Sequence, residues 1–229
     1  MPQTLPDQHT PPLGFKILTP LYDRAIVLLT REHIWRSQFV QFIDPQPSDF
    51  IVDVGSGTGS LAKALLSRQP NCAFFGIDPD KEAIARAVKK LSRHNLKADF
   101  VHGYLERDLF DEGEGATKIV SSLVLHQVPL PEKSRILMTM HHVLQDGGMC
   151  LIADYGHQKT SLSRLLFRLT VQVLDGKADT QPNADGILPD LMREAGFEDV
   201  QELSRISTPT GVISIYQAVK PTARLGGSS

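Results

Sequence analysis

The sequence has few cysteines, almost no net charge and no long apolar run. Its two cysteines are too few for a disulfide framework or a four-ligand zinc site. The 24 Lys and Arg residues nearly balance the 26 Asp and Glu residues, so the net charge of −2 offers no general attraction for a nucleic-acid backbone. No apolar run reaches the roughly 18 residues of a membrane-spanning helix. These absences disfavour a metal site, a nucleic-acid partner and a membrane span.

The two ends of the chain differ in composition from its centre. Residues 1–14 are polar and rich in proline, without the charged start and apolar stretch of a secretory signal, and are expected to form a loose arm. Residues 220–229 are expected to be a flexible tail. We therefore expect a cytoplasmic protein in which residues 15–219 form a single domain.

Apolar strands alternate with amphipathic helices over most of this domain. Strands are predicted at 50–54, 73–77, 99–102, 118–123 and 149–154. Helices are predicted at 21–30, 32–43, 60–68, 80–93 and 131–144, the first two within an N-terminal segment at 15–46. This alternation predicts a parallel sheet that is covered by helices on both faces.

The last third of the chain follows another pattern. Residues 157–185 form an apolar and partly helical insert, and a helix follows at 187–195. Strands are predicted at 198–206 and 211–219, and the short loop between them requires antiparallel pairing. One strand of the sheet is therefore expected to run antiparallel to the others.

A glycine-rich segment follows the first predicted strand. Three glycines come after Asp53 at alternate positions, namely Gly55, Gly57 and Gly59. Glycines let the backbone approach a ligand closely, and the start of the next helix offers free N–H groups. Dinucleotide-binding proteins expect G-x-G-x-x-G, which would need a third glycine at Ser60. The acid at Asp53 is unfavourable beside a pyrophosphate but favourable beside an amino-acid ammonium group.

A second acid ends the next predicted strand. A carboxylate at Asp78 can accept hydrogen bonds from both hydroxyls of a ribose. The alternative is that Asp78 only caps the helix that begins near Asp80. The succession of strand, glycine loop and acid at this spacing favours a nucleoside ligand.

Together these features resemble the class I S-adenosylmethionine-dependent methyltransferases, and the pattern is nearest to the ubiquinone and menaquinone biosynthesis type. The resemblance covers roughly residues 18–219 and includes the Gly147-Gly148 turn and the pair Gly196-Phe197. It implies a Rossmann-like sheet of seven strands, mostly parallel, with an antiparallel last strand. It also implies S-adenosylmethionine as the cofactor and S-adenosylhomocysteine as the product.

The resemblance further implies which residues bind the cofactor. Asp53 would act on the ammonium side of the methionine part, and Asp78 would hold the ribose hydroxyls. Many relatives carry an acid after the third strand, where this sequence has Tyr104, so Leu105 and backbone groups are expected to contact the adenine instead. The expected cofactor residues are Asp53, Gly55, Ser56, Gly57, Gly59, Asp78, Pro79, Tyr104, Leu105 and Ser121.

Candidate residues for the methyl acceptor follow the fourth and fifth strands. Transfer from a sulfonium is an in-line displacement, and a base is needed only if the acceptor must lose a proton. His126 is predicted to act as a base or to orient the acceptor, or else to bond within its own loop. Tyr155 and His157 are similar candidates, and Asp154 is expected to cap the segment after it. Tyr22 is the fourth candidate, because its segment resembles a lid of the quinone-biosynthesis branch.

The insert is expected to form the wall of the acceptor site. Its many leucines favour an apolar acceptor. Arg164 and Arg168 lie one helical turn apart and allow three interpretations: a grip on an acidic group, contact with an anionic membrane surface, or a solvated face.

The sequence therefore predicts a methyltransferase that uses S-adenosylmethionine and acts on a small, partly apolar molecule at carbon, oxygen or nitrogen. A quinone-precursor C-methyltransferase with peripheral membrane contact stays open as an alternative, as does a non-catalytic S-adenosylmethionine-binding regulatory module. Ser60 argues against an NAD-dependent oxidoreductase. The absence of a basic stripe argues against a nucleic-acid methyltransferase. The sequence sets no oligomeric state.

Overall fold

The computed structural model describes residues 30–110 and 115–222, and its strands form one seven-stranded sheet. The strands are β1 (Phe50–Val54), β2 (Ala73–Asp78), β3 (Asp99–His102), β4 (Ala116–Ser122), β5 (Leu144–Tyr155), β6 (Glu198–Thr208) and β7 (Gly211–Val219). The helices are α1 (Glu32–Ile43), α2 (Ser60–Arg68), α3 (Lys81–Ser92), α4 (Leu130–Val143), α5 (Ser161–Leu169), α6 (Val171–Asp175), α7 (Lys177–Asp185) and α8 (Leu188–Glu194). A single 3-10 turn spans Leu125–Gln127.

The strand order across the sheet is β3-β2-β1-β4-β5-β7-β6. β7 pairs antiparallel with both β5 and β6, whereas the other described pairs are parallel. The expected mostly parallel sheet with an antiparallel last strand is thus confirmed. The order reverses between β1 and β4, and ligands of open parallel sheets bind at such a switch point, beyond the carboxyl ends of the strands.

Alternate residues along the central strands pack into two separate cores. Ile51 and Val120 belong to the core that contains Trp35 of α1, whereas their neighbours Val52 and Ile119 belong to the other core. The second core is covered by α4 and α8. Burial on both faces explains why the central strands are apolar throughout rather than alternating. None of the described helices is long and apolar enough to cross a membrane.

Several predicted boundaries are wrong by one or more residues, and three of them matter for the loops around the sheet. β4 ends at Ser122, because Leu123 has a φ of +55° and so leaves the extended conformation. β5 begins at Leu144 instead of residue 149 and includes the predicted glycine turn. β6 extends to Thr208, so the predicted four-residue loop to β7 is only two residues long.

Several expectations fall on the ends of the chain. The arm at 1–14, nearly all of the helix at 21–30 and the candidate Tyr22 lie outside the described residues. At the other end, the N–H and C=O groups of Lys220 exchange hydrogen bonds with the backbone of Gly148 and Gly147, so the ordered structure continues past the predicted start of the tail.

Candidate active site

The glycine loop connects the carboxyl end of β1 to α2. Gly55 has a φ of +75°, and a side chain there would collide with Val124. Its N–H group and that of Ser56 both donate to the carbonyl of Ile77, at 2.9 and 3.0 Å, which holds the loop against β2. Gly57 has a φ of +51°, and nothing lies within 4 Å of the position that a Cβ would take. The loop therefore presents bare backbone to open space at Gly57.

Asp53 lies at the end of β1 with both carboxylate oxygens buried and without a hydrogen-bond partner. Its side chain is 1% exposed. Burial raises the pKa of Asp53 to about 7; Arg36 acts against this rise and Asp78 adds to it. A buried unpaired carboxylate is costly, so its place beside the glycine loop indicates a site for a cationic group. The methionine ammonium group of S-adenosylmethionine fits this requirement.

Arg36 on α1 is the cation whose charge lowers the pKa of Asp53. Its guanidinium lies 4.8 Å from the centroid of the Trp35 ring and forms an ion pair with Glu32, while its Nε atom is buried without a partner. Burial lowers the pKa of Arg36 to about 10, and Asp53 partly offsets this. The two charges interact but form no ion pair in the described structure. Sequence reasoning gave Arg36 no role, because nothing local links it to β1.

Asp78 ends β2 and fixes the backbone around the loop. One of its carboxylate oxygens accepts from the Gly57 N–H at 2.8 Å, and the other accepts from the Asp80 N–H at 2.8 Å. The helix cap itself is Asp80, whose side chain accepts from the first turn of α3. Each oxygen of Asp78 keeps a second lone pair for a ligand hydroxyl.

The two serines predicted to bind the cofactor, Ser56 and Ser121, both lie near the carboxyl end of β1. The Ser121 hydroxyl is buried and donates to the Val54 carbonyl at 2.8 Å, so it joins β4 to β1. The Ser56 hydroxyl is buried and has no partner. Ser56 is therefore the second orphaned polar group at the loop, beside Asp53.

The residues expected near the adenine lie in different environments. Tyr104 is 50% exposed, whereas Leu105 is buried in the core beneath α4. The Pro79 carbonyl lies 3.0 Å from Nε2 of His102. Tyr104 and Pro79 are therefore exposed and open to a ligand, whereas Leu105 is not.

Asp154, at the end of β5, fastens the turn after β4. One of its carboxylate oxygens accepts from the N–H groups of Val124, Leu125 and His126, at 3.1, 2.7 and 3.3 Å. The other oxygen accepts from the N–H group of Tyr155 at 2.7 Å. Asp154 was expected to cap only the segment after it. Its main partners lie about 30 residues earlier, on the neighbouring strand.

This arrangement holds the His126 imidazole between two carboxylates. Its Nδ1 atom lies 2.8 Å from Oδ1 of Asp154, and its Nε2 atom lies 3.6 Å from Oδ2 of Asp175 at the end of α6. Burial alone would lower the pKa of His126, but the carboxylates of Asp154 and Asp175 outweigh burial and raise it to about 9. The imidazole is therefore cationic at neutral pH. Asp175 gave no signal in the sequence.

Lys133 on α4 locks the same turn to the insert. Its ammonium group is wholly buried and donates to the carbonyls of Leu125, Val128 and Asp179, the last two at 2.7 and 2.9 Å. Burial lowers the pKa of Lys133 to about 8. Its position one turn before Leu137, on the apolar stripe of α4, is the sequence signal that could have identified it.

The other acceptor-side candidates lie close by with different exposures. The Tyr155 ring contacts the rings of His126 and Phe167 edge-on, at 4.9 and 5.2 Å between centroids, and its buried hydroxyl lies 2.8 Å from Oγ1 of Thr210. His157 is partly exposed and packs against Gly186. Tyr155 therefore contacts His126 with its ring, whereas its hydroxyl group lies beside Thr210. No group of three metal-binding side chains occurs within residues 30–110 and 115–222.

Comparison with known proteins relates the central part of the chain to methyltransferases. A family model described as a methyltransferase domain matches residues 51–148, which contain the glycine loop, Asp78 and His126. The carboxy-S-adenosyl-L-methionine synthase of Nautilia profundicola is 26% identical over 107 residues, which are 46% of this chain and 44% of the relative. Acetylserotonin O-methyltransferase of Bos taurus is 26% identical over 179 residues, which are 74% of this chain and 49% of the relative.

This chain therefore spans about half the length of these curated relatives. Among solved structures, an O-methyltransferase family protein from Burkholderia thailandensis has a TM-score of 0.69 at 19% identity, covering 89% of this chain and 59% of that protein. That likeness shows a shared fold. The matched family model, the methyltransferase relatives, the glycine loop and the sheet order together identify residues 51–148 as a methyltransferase domain of the class I S-adenosylmethionine-dependent type.

Proposed function

We propose that this protein transfers the methyl group of S-adenosylmethionine to a small, partly apolar acceptor. The observation that carries the proposal is the buried, unpartnered carboxylate of Asp53 beside the open backbone at Gly57. When bound, the cofactor supplies a methyl group on a positively charged sulfur, which is a strong electrophile. The protein's part is then alignment and exclusion of water, and a catalytic base is not obligatory.

The cofactor would be held by residues from three elements. Asp53 would pair with the methionine ammonium group, and Arg36 would turn part of its guanidinium toward the methionine carboxylate. These two opposite charges, close but not bonded to one another, are the complement of an amino-acid zwitterion. Asp78 would accept from the ribose hydroxyls while it keeps Gly57 in place.

The acceptor would lie beside the turn after β4. We propose that His126 orients the acceptor, because the imidazole is already protonated at neutral pH and can donate from Nε2 but cannot accept a proton there. The 3.6 Å separation from Asp175 is longer than a good hydrogen bond, so an acceptor oxygen can compete for this donor. Tyr155 and His157 would shape the wall around it.

The test is the formation of S-adenosylhomocysteine in the presence of a panel of acceptors: phenols, quinone precursors, carboxylates and amines. We expect one apolar class to support turnover and His126→Asn to reduce it by about tenfold to a hundredfold, the range for one positioning group. His142→Asn, on the exposed side of α4, is the matched control and should leave turnover unchanged.

The outcomes separate the alternatives. Turnover confined to quinone precursors would identify the C-methyltransferase. Binding of S-adenosylhomocysteine without turnover on any acceptor would favour a regulatory module. Equal loss in His126→Asn and His142→Asn would overturn the role given to His126.

A further inference from the structure

The insert carries an exposed apolar surface next to the acceptor site. Five large side chains on α5 and α6 project into solvent, with exposures from 44 to 71%. We call this surface the α5–α6 face, and its members are Leu162, Leu165, Leu169, Val173 and Leu174. An apolar cluster of this size on one surface element indicates an interaction site.

The two faces of α5 have separate roles. Ser163 and Phe167 are buried against the protein, four residues apart. Leu162, Leu165 and Leu169 recur at helical spacing on another side of the same helix, which is exposed. The leucines are therefore not needed to attach the helix to the domain.

Cations border the α5–α6 face. Residues 158–174 include Lys159, Arg164 and Arg168 but no Asp or Glu, and all three cations are exposed. The first acid after them, Asp175, points inward to His126. A leucine-bearing helix with a basic border is complementary to the surface of an anionic bilayer, where apolar side chains enter the acyl region and cations meet the headgroups.

The same element reaches the acceptor site. α6 ends at Asp175, which lies 3.6 Å from Nε2 of His126, and the α7 carbonyl of Asp179 is bound by buried Lys133. A molecule that leaves the bilayer beneath α5 and α6 would thus arrive beside the turn that carries His126.

We propose that the α5–α6 face docks on an anionic phospholipid surface and that the methyl acceptor is a lipophilic molecule drawn from that membrane. The second half of this proposal rests on the proposed methyltransferase function. The first half does not, because docking needs neither cofactor nor turnover.

The test of the apolar part is sedimentation of the full chain with vesicles of phosphatidylcholine mixed with phosphatidylglycerol. We expect wild type to bind these vesicles. The double variant Leu165→Gln with Leu169→Gln should bind at least about tenfold more weakly, because it lacks two leucines that would be buried in the bilayer. The control is Val88→Gln with Met138→Gln, two exposed apolar positions on α3 and α4, which should bind as wild type does.

The test of the charged part uses a competing basic surface. Arg86 on α3 and Arg93 at the C-cap of α3 belong to such a basic cluster. Lys159→Gln with Arg168→Gln should weaken binding about tenfold and abolish the preference over pure phosphatidylcholine, whereas Arg86→Gln with Arg93→Gln should not. The reverse result would overturn the proposal.

Other outcomes also decide the matter. If wild type does not sediment with the vesicles, or binds pure phosphatidylcholine equally well, the proposed docking on an anionic membrane is overturned. A wild-type dimer that Leu165→Gln with Leu169→Gln converts to a monomer overturns it too, because a second copy then covers the face. S-adenosylhomocysteine affinity, measured by calorimetry without vesicles, should be unchanged in every variant. If wild type does not bind S-adenosylhomocysteine, the proposed methyltransferase function fails, whereas the docking proposal is still decided by the sedimentation result.

Discussion

Replacing Asp53 by Asn should make the cofactor-free protein more stable and the cofactor bind more weakly. The pKa of Asp53 rises from 3.8 to about 7, so the ionised carboxylate is disfavoured in the folded protein by about 4 kcal/mol well above pH 7. Because the folded pKa is the higher one, the contribution of Asp53 to the free energy of unfolding is fully present below pH 3.8. It is lost as the pH rises through 7. An uncharged amide avoids that loss but is itself unpartnered, so we expect a net gain of about 2 to 4 kcal/mol at pH 8.

The assay is urea unfolding of both proteins at pH 8 and at pH 5, together with calorimetric titration of S-adenosylhomocysteine. The gain in the free energy of unfolding should shrink at pH 5, because the folded carboxyl is then protonated and its protonation costs less free energy at a pH closer to the unfolded pKa of 3.8. The affinity should fall by roughly a hundredfold or more, because removal of one partner from a buried pair costs about 3 kcal/mol or more.

Asp49 provides the matched control for this experiment. Its buried carboxylate is fully engaged, with Lys118 at 2.6 Å, Thr117 at 3.0 Å and the Gln46 N–H at 2.7 Å. Asp49→Asn should therefore destabilise the protein and leave cofactor affinity unchanged. The reasoning would be refuted if Asp53→Asn lost stability as Asp49→Asn does, or if it kept wild-type affinity.

Three further predictions concern the acceptor side. The folded pKa of His126, about 9, lies above its unfolded value, so about 3 kcal/mol of stability should be present below pH 6.5 and lost as the pH rises to 9. In urea unfolding, His126→Asn should lack this pH dependence. An equal dependence of the free energy of unfolding on pH in both proteins would contradict the cationic imidazole. Lys133→Met should cost about 1 to 3 kcal/mol and speed amide exchange in α7, because three carbonyls lose their donor; unchanged exchange would refute the lock. Tyr155→Phe should cost about 1 kcal/mol through the lost bond to Thr210 with S-adenosylhomocysteine affinity retained, and a loss of that affinity would place the hydroxyl at the cofactor instead.

The end of the sheet that carries the glycine loop was predictable because its signals are local. The strands are short apolar runs, and the glycines and acids that follow them lie within a few residues of the strand ends. The antiparallel β7 followed from the short connection to β6. Such patterns need no knowledge of which elements meet in space, and the sheet order then brings Asp53 and Asp78 to one edge.

The surroundings of His126 were less predictable because its contacts join distant segments. Asp154 reaches back across the sheet to His126, and Asp175 ends α6, a helix of only five residues. Arg36 acts on Asp53 from a helix that precedes the sheet. Pairs of this kind depend on packing angles that residue spacing does not encode.

The most direct test of the account is thermal unfolding of the wild-type chain with S-adenosylhomocysteine and, separately, with NADH. At a hundred times its dissociation constant, S-adenosylhomocysteine should add about 2.7 kcal/mol of stability and raise the Tm by roughly 5 to 10 °C, whereas NADH should raise it by nothing. No shift with S-adenosylhomocysteine, or an equal shift with NADH, would contradict a cofactor site built on Asp53 and the glycine loop.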